Sequence, residues 1–527
     1  MKRSHQIDRA QSAKTPFDIA VIGGGASGLG AAIDAAARGH RVALFEQADF
    51  AKGTSSRSTK LVHGGVRYLQ QGNVSLVLEA LRERGRLAAN APHLVHAQSF
   101  VIPNYAWWEG PFYGIGMKVY DRLAGKLGLA PSRHLNIDET LEAIPTIEQA
   151  KLLGGVIYQD GQFDDARLAI NLAQTAESLG AIVLNYTRCR NLVKEKGLVS
   201  GVEIEDLESG QTFTVRAKAV INATGVFADS LRQMDNPQAG SIIAASQGIH
   251  IVIPRHFLPG EAAIMIPKTE DGRVLFAVPW HDHVVVGTTD TPVASAKLEP
   301  RALREEREFV MTHACKYLNH NPQPEDVCSI FAGLRPLVRP DNSSGNTAAL
   351  SRDHSIIVSQ SGLITLTGGK WTTYRKMAED VIDQAETLAG LEHQPCPTVN
   401  LQIRGWTHEP IKAKNLQIYG SDAREIENLI KITPALAEKI HPDLPYQKAE
   451  VFWHAQEEMA RTVEDVLARR TRALFLNARA SMEAAPLVAS ILAKVFSRDS
   501  DWQKKQVEAY LDLAEGYDFL SSKSIGN

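Results

Sequence analysis

The stretch that decides the fold is FDIAVIGGGASGLGAAIDAAARGHRVALFE, residues 17–46. FDIAVIG is a short apolar run rich in Ile and Val, as a strand buried on both faces requires. The glycines that follow give way to an Ala-rich helix, and HRVALFE reads as a second buried strand ending at Glu46. Strand, glycine turn, helix and strand make a βαβ unit. Gly23-x-Gly25-x-x-Gly28 falls at the strand-to-helix turn, where the pattern has mechanical meaning. Gly23 permits the tight turn, Gly25 lets backbone approach a pyrophosphate, and Gly28 lets helix and strand pack closely. Ala26 and Ser27 open the helix, whose free N–H groups meet phosphate charge. Glu46 is placed to accept hydrogen bonds from ribose hydroxyls. The fingerprint alone does not separate FAD from NAD.

Working outward, 527 residues are too many for one core, so two or three domains are expected. Hydrophobic residues make up 44% and charged residues 22%, which fits a globular chain. A net charge of -3 gives no electrostatic case for nucleic acid as a partner. Cys189, Cys315, Cys328 and Cys396 are scattered without a Cys-x-x-Cys pair, so zinc and iron–sulfur readings lack support and no metal is expected. Their scatter fits a reducing compartment. Residues 1–16 read as a flexible tail without the apolar stretch of a signal peptide. Nowhere do about 20 apolar residues run together, so no spanning segment is expected.

Strand-length runs recur through 181–225, and IHIVIP, AAIMIP, RVLFAVPW and HVVVGTT follow within 249–289. Their alternation and turn spacing predict an antiparallel sheet. GLITLTGG from Gly362 is another buried strand, with a helix after it. HQPCPT near 393–398 marks a boundary, beyond which the chain reads as helical. Val463, Val466, Leu467 and Leu474 fall at helical spacing on one face.

The next segment is GTSSRSTKLVHGGVRYLQQ, residues 53–71. It is followed in order by FDDARLAI (163–170), INATGVFAD (221–229), HIVIP (250–254), VVVGTTD (284–290), AGLRPL (332–337), SRD (351–353) and TGGKWTTYRKMAED (367–380). The series closely resembles the FAD-dependent, quinone-linked glycerol-3-phosphate dehydrogenases of the D-amino-acid-oxidase-like flavoprotein group. TVEDVLARRTRALFL (462–476) looks like their helical cap. No large insertion of the kind found in the related oxygen-using oxidases is visible. The fold class implied is α/β plus α: a Rossmann-like FAD-binding domain, an inserted substrate domain with a mainly antiparallel sheet, and a helical C-terminal domain. The expected division is a flexible tail 1–16, an FAD-binding domain from 17–105, 151–240 and 331–392, a substrate domain from 106–150 and 241–330, and a cap over 393–527. Dimerisation and partner docking both stay open for that cap.

The activity implied is oxidation of sn-glycerol 3-phosphate to dihydroxyacetone phosphate by hydride transfer to FAD. Gripping a phosphate dianion calls for arginine, whose planar fork matches phosphate oxygens. The candidates are Arg67, Arg335 and Arg352, with Lys370 added by the resemblance. Proton removal calls for a group titrating near neutrality, and His63 and His250 both lie in matching motifs. Which arginine holds phosphate, and which group is the base, stay open. Negative charge on the reduced flavin is met by the helix start at Gly368, Gly369, Lys370, Trp371 and Thr372. Tyr68 and Thr289 are lesser candidates for substrate or flavin contacts. Thr54, Ser55, Ser56, Ser58, Lys60 and His63 are expected against the cofactor, as is the Ala223-Thr224-Gly225 turn. Backbone near Arg188 and Cys189 is expected at the adenine.

The family's dehydrogenases pass electrons to membrane quinone. AWWEGPFYGIGMKVYDRLAGKLGLAP, residues 106–131, combines Trp107, Trp108, Phe112 and Tyr113 with Lys118, Arg122 and Lys126. That composition suits a helix lying on anionic lipid, and equally a helix packed on the protein's own core. The expected location is the inner face of a membrane, reached peripherally from the cytoplasm. Rival readings are an amino-acid or amine oxidase on the same fold, an oxygen-using glycerol-3-phosphate oxidase, and a non-catalytic flavin-binding scaffold.

Overall fold

The computed structural model describes residues 1–65, 73–267, 269, 272–339 and 353–526. Residues 1–16 are not the loose tail expected. Helix α1 (Arg3–Gln11) docks on the first sheet, with Arg3 bonded to Asp206 and to the carbonyls of Asn185 and Tyr186 at 3.2 Å each. Its buried stripe is Arg3, Gln6 and Ala10, mostly polar, so hydrophobic periodicity cannot reveal it.

The βαβ unit forms as read: β1 (Phe17–Ile22), α2 (Ala26–Ala37) and β2 (Val42–Phe45). β1 lies between β2 and the strand Thr212–Asn222, parallel to both, with Ile19 opposite Val42 and Ala219. Ile182–Leu184 extends the sheet beyond β2, and Leu363–Gly368 extends it on the other side. Leu29, Ala31, Ala32, Ile33 and Ala35 of α2 are all buried, as a helix between two layers requires. A nucleotide site belongs at the carboxyl ends of these parallel strands.

The second sheet is mixed and mainly antiparallel. Helix α3 (Glu109–Ala124) packs on it through Met117 and Tyr120. Strand β3 (Ile243–Pro254) runs antiparallel to both β4 (His283–Gly287) and β5 (Ser329–Val338). The strands Leu61–Val62, Val95–Asn104, Gly154–Phe163 and β5 belong to this sheet, although the sequence reading assigned them to the nucleotide unit. The boundaries expected at 105, 151 and 331 therefore give way to a finer interleaving. Its cause is long-range pairing, such as Val101 opposite Ile157, which a linear reading cannot see.

After Leu363–Gly368 comes α4 (Tyr374–Ala389), which packs on α2 where Gly30 leaves room for Tyr374. The C-terminal part is helical, and its apolar core is shared with Val252, Trp280, Val285 and Phe331 of the second sheet. Val463, Val466, Leu467 and Leu474 are all buried. They do not share one face of one helix: Asp465–Arg470 is a π-helical turn, and Arg472 has a left-handed φ of 66° before the short helix Ala473–Leu476. The break lets Arg469 and Arg470 reach Asp49, and Arg472 reach the Ser56 carbonyl at 2.7 Å.

Candidate active site

Two connected hollows make the site. One, of about 280 Å³, follows the carboxyl ends of the parallel strands; the other, of about 560 Å³, lies between the sheets. Thr54, Pro336, Gly368, Gly369, Lys370 and Trp371 line both.

At the nucleotide end, Gly23 has φ of 113°, and a methyl there would sit 2.5 Å from the Ala223 carbonyl oxygen. A methyl at Gly28 would sit 1.9 Å from the Gly23 carbonyl oxygen, so α2 meets the turn at backbone contact. Gly25, Ala26 and Ser27 line the cleft, and the Ala26 N–H donates to Ser55 Oγ at 2.9 Å. The Glu46 oxygens accept from the N–H groups of Gly24 at 2.6 Å and Ala48 at 2.8 Å. Burial raises its pKa above the ordinary carboxylate value, against the pull of those two N–H groups. Arg188, Cys189, Ala223, Thr224 and Gly225 complete the wall. Arg188 turns its guanidinium outward to Glu205 at 2.7 Å, and Thr224 donates to Asn222 Oδ1 at 2.7 Å. Glycine surfaces at a helix N-terminus with a carboxylate one strand away fit the pyrophosphate and ribose of FAD.

At the junction, Trp371 Nε1 donates to the Ser55 carbonyl at 2.9 Å and its ring meets Phe163 edge-on at 5.6 Å. Thr54 Oγ1 donates to the Leu334 carbonyl at 2.7 Å, tying the flavin-side segment to β5. The His63 N–H donates to Thr372 Oγ1 at 3.1 Å. Gly368 and Gly369 take φ of 79° and 70°, bringing Lys370 and the turn Trp371–Thr373 to the cavity.

Three residues expected at the cofactor have other partners. Lys60 faces neither hollow: it is fully buried, with its ammonium on Asp165 Oδ2 at 2.7 Å and the Ser56 carbonyl at 2.9 Å. The rings of Trp280, Phe331 and Phe475 surround it at 5.1–5.5 Å. Burial pushes its pKa down to about 7, with Asp165 opposing and Arg472 assisting. Ser56 is likewise buried, and Ser58 donates both its N–H and its hydroxyl to Asp165 Oδ2, at 3.0 and 2.7 Å. Lys60 and Ser56 line neither hollow and form the platform under the flavin-side segment, whereas Ser58 lines the larger cavity while bonded to Asp165. A run of small hydroxyl residues does not reveal this, because the partner, Asp165, is 107 residues from Ser58.

His63, His250, Thr289, Arg335 and Lys370 come together around the larger cavity; Arg67, Tyr68 and Arg352 lie outside the described residues. Arg335 NH2 donates to Thr288 Oγ1 at 3.2 Å and to the Thr289 carbonyl at 3.0 Å, with Asp290 3.5 Å from NH1. Gly248 makes room for that guanidinium, since a methyl would come within 2.5 Å of it. Thr289 reaches the wall, and its hydroxyl donates to Glu306 at 2.8 Å and accepts from the Ile249 N–H at 3.0 Å. The His250 ring stacks on Phe331 at 4.9 Å and meets Thr59 Oγ1 through Nε2 at 2.9 Å. Burial, then Lys60 and Arg335, hold its pKa well below the ordinary value, so the ring is neutral.

Sequence reasoning passed over Thr59, Asp160, Arg273, Thr288 and Asp290, which also line this cavity. Thr59 sat inside the segment already singled out, between Ser58 and Lys60, and Asp290 closed the VVVGTTD motif. Arg57, also missed, is a buried wall residue whose guanidinium holds both Glu299 oxygens at 2.8 Å.

Residues 18–375 match the family described as FAD dependent oxidoreductase, and residues 359–506 match the C-terminal domain of alpha-glycerophosphate oxidase. The mitochondrial glycerol-3-phosphate dehydrogenase of Mesocricetus auratus is 40% identical over 96% of this chain and 74% of its own length. An Arabidopsis thaliana mitochondrial glycerol-3-phosphate dehydrogenase is 38% identical over 98% of this chain and 88% of its own. The structure of glycerol-3-phosphate dehydrogenase from Bacillus halodurans, complexed with FAD, superposes with a TM-score of 0.79 at 30% identity, covering 97% of both chains.

Proposed function

The chain belongs to the FAD-dependent glycerol-3-phosphate dehydrogenases, and from that membership we infer that it oxidises sn-glycerol 3-phosphate to dihydroxyacetone phosphate with FAD as its cofactor. The observation that carries this reading is the convergence of Arg335, Lys370, His63 and His250 on one cavity that opens into the nucleotide cleft. FAD supplies the two-electron acceptor for the C2 hydrogen. In our reading, Arg335 and Lys370 hold the phosphate dianion, Arg335 with a fork that matches two oxygens. Arg67, Tyr68 and Arg352 complete the proposed substrate set. His250, kept neutral by burial and two cations, is the proposed proton acceptor. In the same reading, the N–H groups of the turn Lys370–Thr372, which lines the larger cavity, stabilise negative charge developing on the flavin. Anaerobic mixing with sn-glycerol 3-phosphate is expected to bleach the flavin absorbance, while the enantiomer and glycerol leave it unchanged. A bound flavin that none of the three alters sinks the reading.

We further propose a membrane quinone as electron acceptor and an anionic lipid surface as docking partner, reached peripherally from the cytoplasmic side. Among the described residues no helix is long and apolar enough to cross a membrane. The support is α3 and the turn before it. Trp107 is 82% exposed and Ile115 68%, with Trp108, Phe112 and Val119 also exposed, and Lys118 and Arg122 stand beside them. An apolar face with a basic fringe is what an interfacial helix needs. The inner residues of α3, Met117 and Tyr120, pack with Phe100, Tyr158 and Met265, which also wall the larger cavity. The proposed lipid face is therefore joined to a wall of the larger cavity through packed side chains.

A further inference from the structure

His250 meets the cavity in an unusual way. Its ring is held between two neighbouring strands. On β5 it stacks on Phe331, and on β4 it lies over Gly287, where a methyl would come within 2.4 Å of the ring. Nδ1 is sealed inside this sandwich and has no hydrogen-bond partner among the described residues. Nε2 is the nitrogen left for a proton to reach, and 2.9 Å in front of it stands Thr59 Oγ1, which itself lines the cavity. A threonine hydroxyl both donates and accepts and rotates to suit.

We propose that the Thr59 hydroxyl carries the substrate proton to His250, making it a catalytic residue of the oxidation. The step rests on reading His250 as the proton acceptor. The substrate O–H bond breaks as an O–H bond forms on Thr59. The original Thr59 O–H bond breaks as an N–H bond forms on His250 Nε2. The C2 hydrogen leaves with its electron pair for FAD, and the C–O bond becomes a carbonyl. Thr59 ends the step as it began, and His250 carries one extra proton. The charged groups that act on the ring are Lys60 and Arg335, balanced by Asp165 and Asp290 respectively. Both cations favour prompt release of that proton once product leaves.

The test is rapid-mixing measurement of flavin reduction by sn-glycerol 3-phosphate in the full-length enzyme. Thr59→Val keeps the shape and removes the hydroxyl. Its limiting rate is expected to fall about 100-fold, the lower range for losing a proton-transfer partner, with the apparent substrate dissociation constant within about threefold of wild type. Thr59→Ser is expected to restore most of the rate. In the free protein, the ¹⁵N shifts of the His250 ring, assigned with His250→Asn, are expected to move in Thr59→Val and return in Thr59→Ser. Where Thr59→Val fails to fold or to hold flavin, a proton inventory on the wild type decides. Two protons in flight curve the plot of rate against deuterium fraction, and a straight or flat plot overturns the relay. A slow His250→Asn beside a normal Thr59→Val overturns the Thr59 step alone. A normal rate in both overturns the reading of His250 as well.

Discussion

Gly28 has no room for a single methyl group, because the Gly23 carbonyl oxygen would lie 1.9 Å from it. Gly28→Ala must push α2 away from the turn, an overpacking of at least about 1–3 kcal/mol at the point where the N–H groups meet pyrophosphate. The variant is expected to purify with less than about a tenth of the wild-type flavin absorbance per chain; a fully yellow Gly28→Ala protein contradicts this account. The placement of Gly23, Gly25, Gly28 and Glu46 was legible because it depends on backbone within one βαβ unit. Arg335, His250, His63 and Lys370 were legible as residue types in motifs, but their meeting around one cavity was not. Lys60 and Thr59 show the limit most clearly. They are adjacent in sequence, yet Lys60 turns to Asp165 beneath the platform and Thr59 turns to His250 at the cavity.

Among the elements, α3 carries the clearest consequence. Its sequence allowed a lipid-facing or a core-facing helix, and the two faces divide these roles. Gly114, Met117, Tyr120 and Ala124 are buried, while Phe112, Ile115 and Val119 are exposed. Trp107→Asp/Ile115→Asp replaces two exposed side chains without touching the buried stripe, so stability is expected to change by no more than about 0.5 kcal/mol. Wild-type enzyme is expected to float with vesicles rich in anionic lipid and the double variant to remain at the bottom of the gradient. Flotation of both, or of neither, rules out this helix as the docking surface. The stretch 462–476 is the opposite case. Its apolar positions read as one helical face, whereas three arginines reaching into the nucleotide unit break it into a π-helical turn and a short helix.

At the scale of the molecule, those arginines bind the C-terminal part to the nucleotide unit. Asp49 stands at the focus, 2.5 Å from Arg469 Nε and 3.0 Å from Arg470 NH2, with all three side chains buried. Burial pushes the Asp49 carboxyl up, and Arg470 and Arg469 outweigh it, so its pKa stays below the ordinary 3.8. The clamp therefore contributes fully above that value and is lost as pH falls through the lower, folded-state pKa. Asp49→Asn leaves two buried guanidiniums short of countercharge and is expected to cost about 3–5 kcal/mol at neutral pH, read as a lower urea midpoint. An unchanged midpoint contradicts the clamp. Read by itself, the sequence determined the βαβ unit, the FAD-dependent family and the residue types of the site, because these depend on local periodicity and on motifs a few residues long. Only the tertiary structure decided which strands share the second sheet, which cations line the cavity and which lie buried on Asp165 and Asp49, and which atom stands before His250. Those outcomes depend on pairing and burial between segments up to about 420 residues apart, where desolvation, not residue type, determines each charge's partner.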